Sequence, residues 1–437
     1  MKPSDMKAFF AENFNLNMDE YLELKYTFET IIEPRLAAAQ LCREMSTIQW
    51  HRKDVDEDFR PRFGAKVLSL SAEKIPQSSN AALEAMLHHH SDAIYRCQVN
   101  IAYPFHNFGT RFPNLLTIAA GEGAFHAPNI IVIRLEDIYF PDAFLNAFQG
   151  PQFGVDGLRD LLGIHNRPFI FGVIKPNIGL APEDAAQIAY AAWCGGLDVA
   201  IDDEQMNDAE WSPLAERARA LTAARKRAED ETGEKKMYLA NITDEVDQIL
   251  HLHDIAVENG ANAVMLNVMT VGISAGRMLR KHAAVPIMSH FDLFGTMTQV
   301  PYHGIRETVF TKLQRLAGID ALIYPGLSPR MKTTEEEVHS VIKACLKEMG
   351  TLRTTLPIPG GSQWAGSLET LYKTFGDVDF GTIPGRAVFD HPMGPRGGAA
   401  SMRQGWEAVQ QGISLAQYAH EHCELQEAIH YQQKKAA

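Results

Sequence analysis

The 437-residue chain is poor in cysteine. Its five cysteines, Cys42, Cys97, Cys194, Cys345 and Cys423, are scattered, odd in number and form no C-x-x-C pair. That excludes a disulfide framework and a cysteine zinc centre, and it fits a reducing compartment. Long apolar runs are also missing: none reaches the roughly 18 residues that a membrane-spanning helix needs. The N-terminal stretch MKPSDMKAFFAENFNLNMDE carries acidic residues and no apolar core, so it does not read as a signal peptide, and a cytoplasmic location is expected. There is no excess of positive charge. Lys and Arg number 41 against 54 Asp and Glu, a net charge of −13. Such a surface repels nucleic acid and anionic lipid, so neither is expected as a partner, although a local basic pocket stays open.

What is present is the composition of a folded enzyme: 46% apolar, 9% aromatic and 22% charged residues. At about 150 residues per domain the length suggests three domains, or two if one is a large α/β unit. Residues 1–145 read as an α+β domain. Tyr21–Phe28 alternates like a half-buried strand, Glu33–Met45 is an Ala- and Leu-rich helix, and Lys66–Leu70, Ile94–Ala102 and Asn129–Leu135 are further strands. Residues 146–437 become regular from Pro168 onward. Eight apolar strands alternate with helices: Phe169–Ile174, Leu197–Ile201, Met237–Asn241, Ala263–Val268, Val285–His290, Ala321–Tyr324, Thr355–Ile358 and Val378–Ile383. That count, in about 240 residues, is what a (β/α)8 barrel needs. The alternative is an open doubly wound sheet, which usually carries G-x-G-x-x-G after its first strand; here that strand ends in Lys-Pro-Asn.

A barrel places its active site at the C-terminal ends of its strands. Those ends are polar here: Lys175, then Asp202-Asp203-Glu204, Asn241, Asn267, His290, Gly326 with Arg330, Gly360-Gly361-Ser362 and Gly385-Arg386. Glycine turns after strands seven and eight let backbone N–H groups approach a phosphate, and Arg386 adds a cation. Clustered carboxylates suit Mg²⁺, which prefers oxygen ligands. Lys175 is a candidate acid–base group or carbonyl polariser. Each feature also has a plain structural explanation. Acidic clusters begin helices, glycines make ordinary turns, and one histidine can sit satisfied in a core. Their convergence on one face is what favours a site. His88-His89-His90 is read as a solvated helix face, because adjacent helical residues point apart.

The strand ends resemble the RuBisCO superfamily over nearly the whole chain. Gly172–Leu180 (GVIKPNIGL) is similar to that family's x-I-K-P-K-x-G-L, and Gly195–Glu204 (GGLDVAIDDE) to its G-G-x-D-x-x-K-D/N-D-E. Glu44–Trp50 (EMSTIQW), Arg134–Asp137 (RLED) and His391–Gly394 (HPMG) resemble further family motifs. The resemblance implies a ferredoxin-like N-terminal domain, a C-terminal barrel, and a homodimer whose active site is shared between subunits. Glu44 and Trp50 would then reach in from the partner.

The departures are specific. The lysine that carboxylating members carbamylate is Ile201, so no carbamylated lysine is expected, and a Mg²⁺ site built on Asp203 and Glu204 alone is weakened. The second lysine of K-P-K is Asn177, and the asparagine before R-L-E-D corresponds to Glu122. One histidine of strand five survives as His290, its neighbouring arginine is Phe291, and the strand-six histidine is Tyr324. Arg330 stands as the candidate for the loop lysine. This pattern resembles the form IV RuBisCO-like proteins of green sulfur and purple phototrophs, which lack carboxylase activity. Better-understood form IV branches enolise or isomerise phosphorylated sugars, including methylthio-sugars of sulfur salvage. The expected reaction is therefore enolisation or isomerisation of a small phosphorylated substrate, with a role in sulfur metabolism. Lys175 would polarise the carbonyl, and His290 or Glu122 would be the base. Asn177, Arg330, Gly360, Gly361, Gly385 and Arg386 would bind substrate. A non-catalytic ligand-binding dimer and an aldolase or decarboxylase are the alternatives.

Overall fold

The computed structural model describes residues 3–48, 58–87 and 93–436. The chain forms two compact units. The first comprises Met1–Phe148 with Phe294–Leu313 and Met349–Thr351.

In the first unit, strands Tyr21–Thr30, Lys66–Ile75, Ile94–Pro104 and Ile130–Tyr139 form an antiparallel sheet. The last strand lies beside the first, then come the third and the second. With helix Pro34–Met45 after the first strand and Phe112–Ala120 after the third, this is the ferredoxin-like β-α-β-β-α-β order. The alternation seen in Tyr21–Phe28 has its cause here: Leu22, Leu24, Tyr26 and Phe28 are fully buried, while Glu23, Lys25 and Thr27 are less so. The Tyr26 hydroxyl donates to the Ala119 carbonyl at 2.7 Å, tying the sheet to helix Phe112–Ala120. A short strand, Gly304–Ile305, pairs parallel with Arg134 and Leu135. Two residues leave no periodicity to read, so the sequence pattern groups this segment with the barrel domain.

The second unit comprises Gln149–Leu293, Gln314–Glu348 and Leu352–Ala437. Its eight parallel strands, numbered here as barrel strands 1 to 8, are Phe169–Val173, Val199–Ile201, Met237–Asn241, Ala263–Met265, Ile287–Ser289, Ala321–Pro325, Leu356–Gly360 and Gly381–Thr382. Backbone pairing runs from strand 8 through strands 1 to 7, leaving a single seam between strands 7 and 8. Gln363 spans that seam. Its Nε2 donates to the Pro359 carbonyl, and its Oε1 accepts from Thr382 Oγ1 at 2.6 Å and from Ile383 N at 2.8 Å.

Alternate strand residues fill the interior, among them Phe169, Phe171, Val199, Ile201, Leu239, Met265, Ile323 and Ile358. Val155, Leu158 and Leu162 of helix Gly154–Leu162 pack into the same cluster. They join it near the N-terminal ends of the strands, so the polar groups at the opposite ends face open space. The N-terminal ends carry their own buried charges. Asp198 accepts from Ile170 N and pairs with Arg167 and Arg403. Burial alone would push its carboxyl up, but Arg403 and Arg167 outweigh that and hold it below the usual range. No helix among the described residues is long and apolar enough to cross a membrane.

Candidate active site

A cavity of about 750 Å³ opens at the C-terminal ends of the barrel strands. Its lining includes Lys175, Asn177, Glu204, His290, Arg330, Gly360, Gly361, Gly385 and Arg386. Nine of the residues expected at the site from sequence therefore border one space in the second unit.

The three carboxylates after strand 2 have separate fates. Asp202 turns outward and is fully enclosed. Its Oδ2 accepts from Arg217 Nε at 3.1 Å, Tyr238 Oη at 2.9 Å and Asn241 N at 3.2 Å. Burial, reinforced by Asp202, pushes the Tyr238 hydroxyl well above its ordinary value, so it remains a donor. Asp203 is also buried, but it pairs with the Lys175 ammonium, and its other oxygen accepts from Gln205 N at 3.1 Å. Glu204 faces the cavity, with Oε2 3.9 Å from His290 Nε2. Asn241 holds the turn from below: its Nδ2 donates to the carbonyls of Asp203 and Glu204 at 3.1 and 3.2 Å.

His290 is buried and stacks on Phe291, with centroids 4.4 Å apart. Its Nδ1 lies 3.2 Å from Asp292 Oδ2 without the alignment of a hydrogen bond. Asn177 Nδ2 donates to Gln205 Oε1 at 3.1 Å. Opposite, Gly361 has a φ of +101°, and a Cβ there would lie 2.5 Å from Met331 Cγ, so the turn after strand 7 and the loop after strand 6 fit together only with glycine. At Gly385 an added Cβ would meet nothing within 4 Å, which leaves open space beside Arg386.

Several positions depart from the sequence expectations. Tyr324, in the place of the family's strand-six histidine, is fully enclosed, and its neighbour Ile323 lines the cavity instead. The period of two along a strand turns Ala321 and Ile323 inward and Tyr324 outward. Glu122 begins the short helix Glu122–Phe125 and is exposed. A Cβ on Gly123 would meet the Glu44 carbonyl oxygen at 2.5 Å, so the segments of Glu44 and Glu122 are packed together in the first unit. Trp50 and His88–His90 lie outside the described residues.

Sequence reasoning missed Gln205, Gln363, Gln432 and Lys435, all of which line the cavity. The last two come from helix Cys423–Ala436, which the H-P-M-G motif anchors. His391 Nδ1 accepts from Met393 N at 3.1 Å, and its Nε2 donates to the Glu424 carbonyl at 3.1 Å. The motif thus ties this helix to the segment that follows barrel strand 8.

The donor set does not fit the family's Mg²⁺ site. Ile201, at the carbamate position, is buried among the hydrocarbons of the barrel core. Both oxygens of Asp203 are engaged, by Lys175 and Gln205. Glu204 alone is a poor replacement for several oxygen ligands.

An eight-stranded barrel with a ferredoxin-like unit and a polar, arginine-bearing cavity at its strand ends defines a barrel protein built around a small-molecule site. Comparison with known proteins places it more narrowly. Residues 154–431 match the family described as ribulose bisphosphate carboxylase large chain, catalytic domain. The chain is 51% identical over 429 residues, 98% of its length and 99% of the relative's, to ribulose bisphosphate carboxylase-like protein 2 of Rhodopseudomonas palustris. It is 31% identical over 379 residues, 85% of its length and 89% of the relative's, to a 3-oxo-isoapionate-4-phosphate decarboxylase of Rhizobium etli. Among solved structures, the octameric ribulose-1,5-bisphosphate carboxylase/oxygenase of Pyrococcus horikoshii superposes with a TM-score of 0.86 at 29% identity, covering 98% of this chain and 96% of that one. The chain belongs to the RuBisCO large-chain family, and within it to the RuBisCO-like proteins of form IV.

Proposed function

We propose that this protein is a non-carboxylating enzyme that enolises or isomerises a phosphorylated sugar, sulfur-bearing sugars being the first candidates. One observation carries the reading: a single cavity brings the Lys175 ammonium, the His290 imidazole and two arginines, Arg330 and Arg386, around space for a small anion. Gly360, Gly361, Gly385 and Arg386 hold the phosphate. Lys175, oriented by Asp203, donates a hydrogen bond to the substrate carbonyl oxygen and stabilises the charge that develops there. His290 removes the proton from the adjacent hydroxyl-bearing carbon, the C–H electron pair forms the enediolate, the hydroxyl proton passes to the former carbonyl oxygen, and return of the carbon-bound proton to the former carbonyl carbon completes the isomerisation. The competing base is Glu122, and Glu44 and Trp50 reach in from the partner subunit, in a homodimer that shares its sites. The packing of the Glu44 and Glu122 segments supports their acting together.

Carboxylation is not part of this reading, because Ile201 can neither form a carbamate nor ligate a metal. The test is solvent deuterium exchange into candidate sugar phosphates, followed by NMR. Exchange that Lys175→Met abolishes is expected; equal exchange in that variant overturns the reading. A second reading, decarboxylation of a phosphorylated oxo-acid sugar, is favoured by the 31% identity to the Rhizobium decarboxylase. It uses the same enolate-stabilising end of the barrel, and CO₂ release with no isomerised product distinguishes it.

A further inference from the structure

The outer surface of the barrel carries a second convergence of ligating groups. His253 and Asp254 lie on helix Ile249–Glu258, and His282 is the last residue of helix Ile273–His282. Two neighbours on a helix ordinarily point apart. Here Asp254 curls back, so that its Oδ1 accepts from both rings: His253 Nδ1 at 2.9 Å and His282 Nε2 at 2.6 Å. The two rings meet edge to face with centroids 5.0 Å apart. One ligand atom from each residue lies within 4.8 Å of the other two, the one such group of His, Cys, Asp and Glu among the described residues.

We propose that His253, Asp254 and His282 form a binding site for a borderline divalent transition metal ion such as Zn²⁺, which clamps the two helices together. Two imidazoles and one carboxylate are the donor set such an ion takes with an open fourth position, whereas Mg²⁺ and Ca²⁺ prefer oxygen alone. The geometry is prepared for it. The protons that now bridge the two rings to Asp254 occupy the place a cation would take, and releasing them is the ordinary accompaniment of metal binding. His253 is 5% exposed, so its ring is held in place. Asp254 and His282 are partly exposed, leaving the outward position to water. Arg280, two residues before His282, is already paired with Asp320 at 3.0 Å.

The test uses the full chain stripped with a chelator and then titrated with Zn²⁺ by calorimetry and with Co²⁺ by visible absorption. The expected result is one ion per chain with a Co²⁺ band of tetrahedral intensity. Affinity should fall at least tenfold in His282→Gln and Asp254→Asn and stay unchanged in Glu204→Gln, which alters the cavity. Both former positions lie at the surface, so the variants fold, and a zinc-induced rise in melting temperature should disappear with the affinity. Absence of binding, equal binding in His282→Gln and Asp254→Asn, or binding lost only in Glu204→Gln overturns the proposal.

Discussion

The Lys175 ammonium is paired with the carboxylate of Asp203, whose side chain is 1% exposed while that of the lysine is 36% exposed. A buried anion thus aims a half-exposed cation into the cavity. Lys175→Met is expected to lower proton exchange by about 10²- to 10⁴-fold, the range for loss of a positioned acid–base group. Asp203→Asn keeps the shape but releases the lysine, and a smaller loss is expected. NMR-monitored exchange measures both, and an unchanged rate in Asp203→Asn would separate the pair from the chemistry.

The proposal of a site shared between subunits predicts complementation. Lys175→Met and Glu44→Gln are each expected to be inactive, and an equal, randomly reassociated mixture should regain about a quarter of the wild-type rate, since about half of its dimers are heterodimers and each of these has one of its two sites intact. Mixing the two variants after dissociation and reassociation, with dimer mass checked by light scattering, makes the measurement. No recovery in a verified heterodimer argues against a shared site.

Ile201 packs in the barrel core with no exposure. Ile201→Lys buries an ammonium there and is expected to cost about 3 kcal/mol or more in urea unfolding. In the wild type, CO₂ with Mg²⁺ is expected to produce no fixation of labelled CO₂ on ribulose bisphosphate.

Asp198 links Arg167 and Arg403 below the barrel. Its carboxyl is held below the unfolded value of about 4, so its stabilisation is complete above that pH and is lost as pH falls through the folded value. Asp198→Asn is expected to cost about 3 kcal/mol at pH 7, and the difference from wild type should narrow in acid below about pH 4. Urea unfolding at the two pH values checks the sign.

Burial lowers the proton affinity of His391, which is therefore neutral in the fold, donating to the Glu424 carbonyl. The unfolded chain takes up the proton first as pH falls below about 6.5, so the stabilisation present above that pH is lost below it. Hydrogen exchange in helix Cys423–Ala436 should accelerate at pH 5.5 relative to pH 7.5 after correction for intrinsic rates, and His391→Gln should flatten the difference.

The sequence alone determined the two architectures and nine of the residues that line the cavity. Apolar runs of period two and the spacing of eight strand–helix units are local consequences of which faces are buried. Strand edges were less legible: the run Val378–Ile383 contains only the strand Gly381–Thr382, because hydrophobicity marks burial and backbone pairing sets the ends. Tertiary structure alone decided which carboxylate does what. Asp202, Asp203 and Glu204 are adjacent and chemically alike, but Arg217 takes the first, Lys175 the second, and the cavity receives the third. The same holds for Gln363 across the barrel seam and for the convergence of His253, Asp254 and His282. Each depends on partners distant in the chain, and side-chain direction at such contacts is set by packing that no local pattern records.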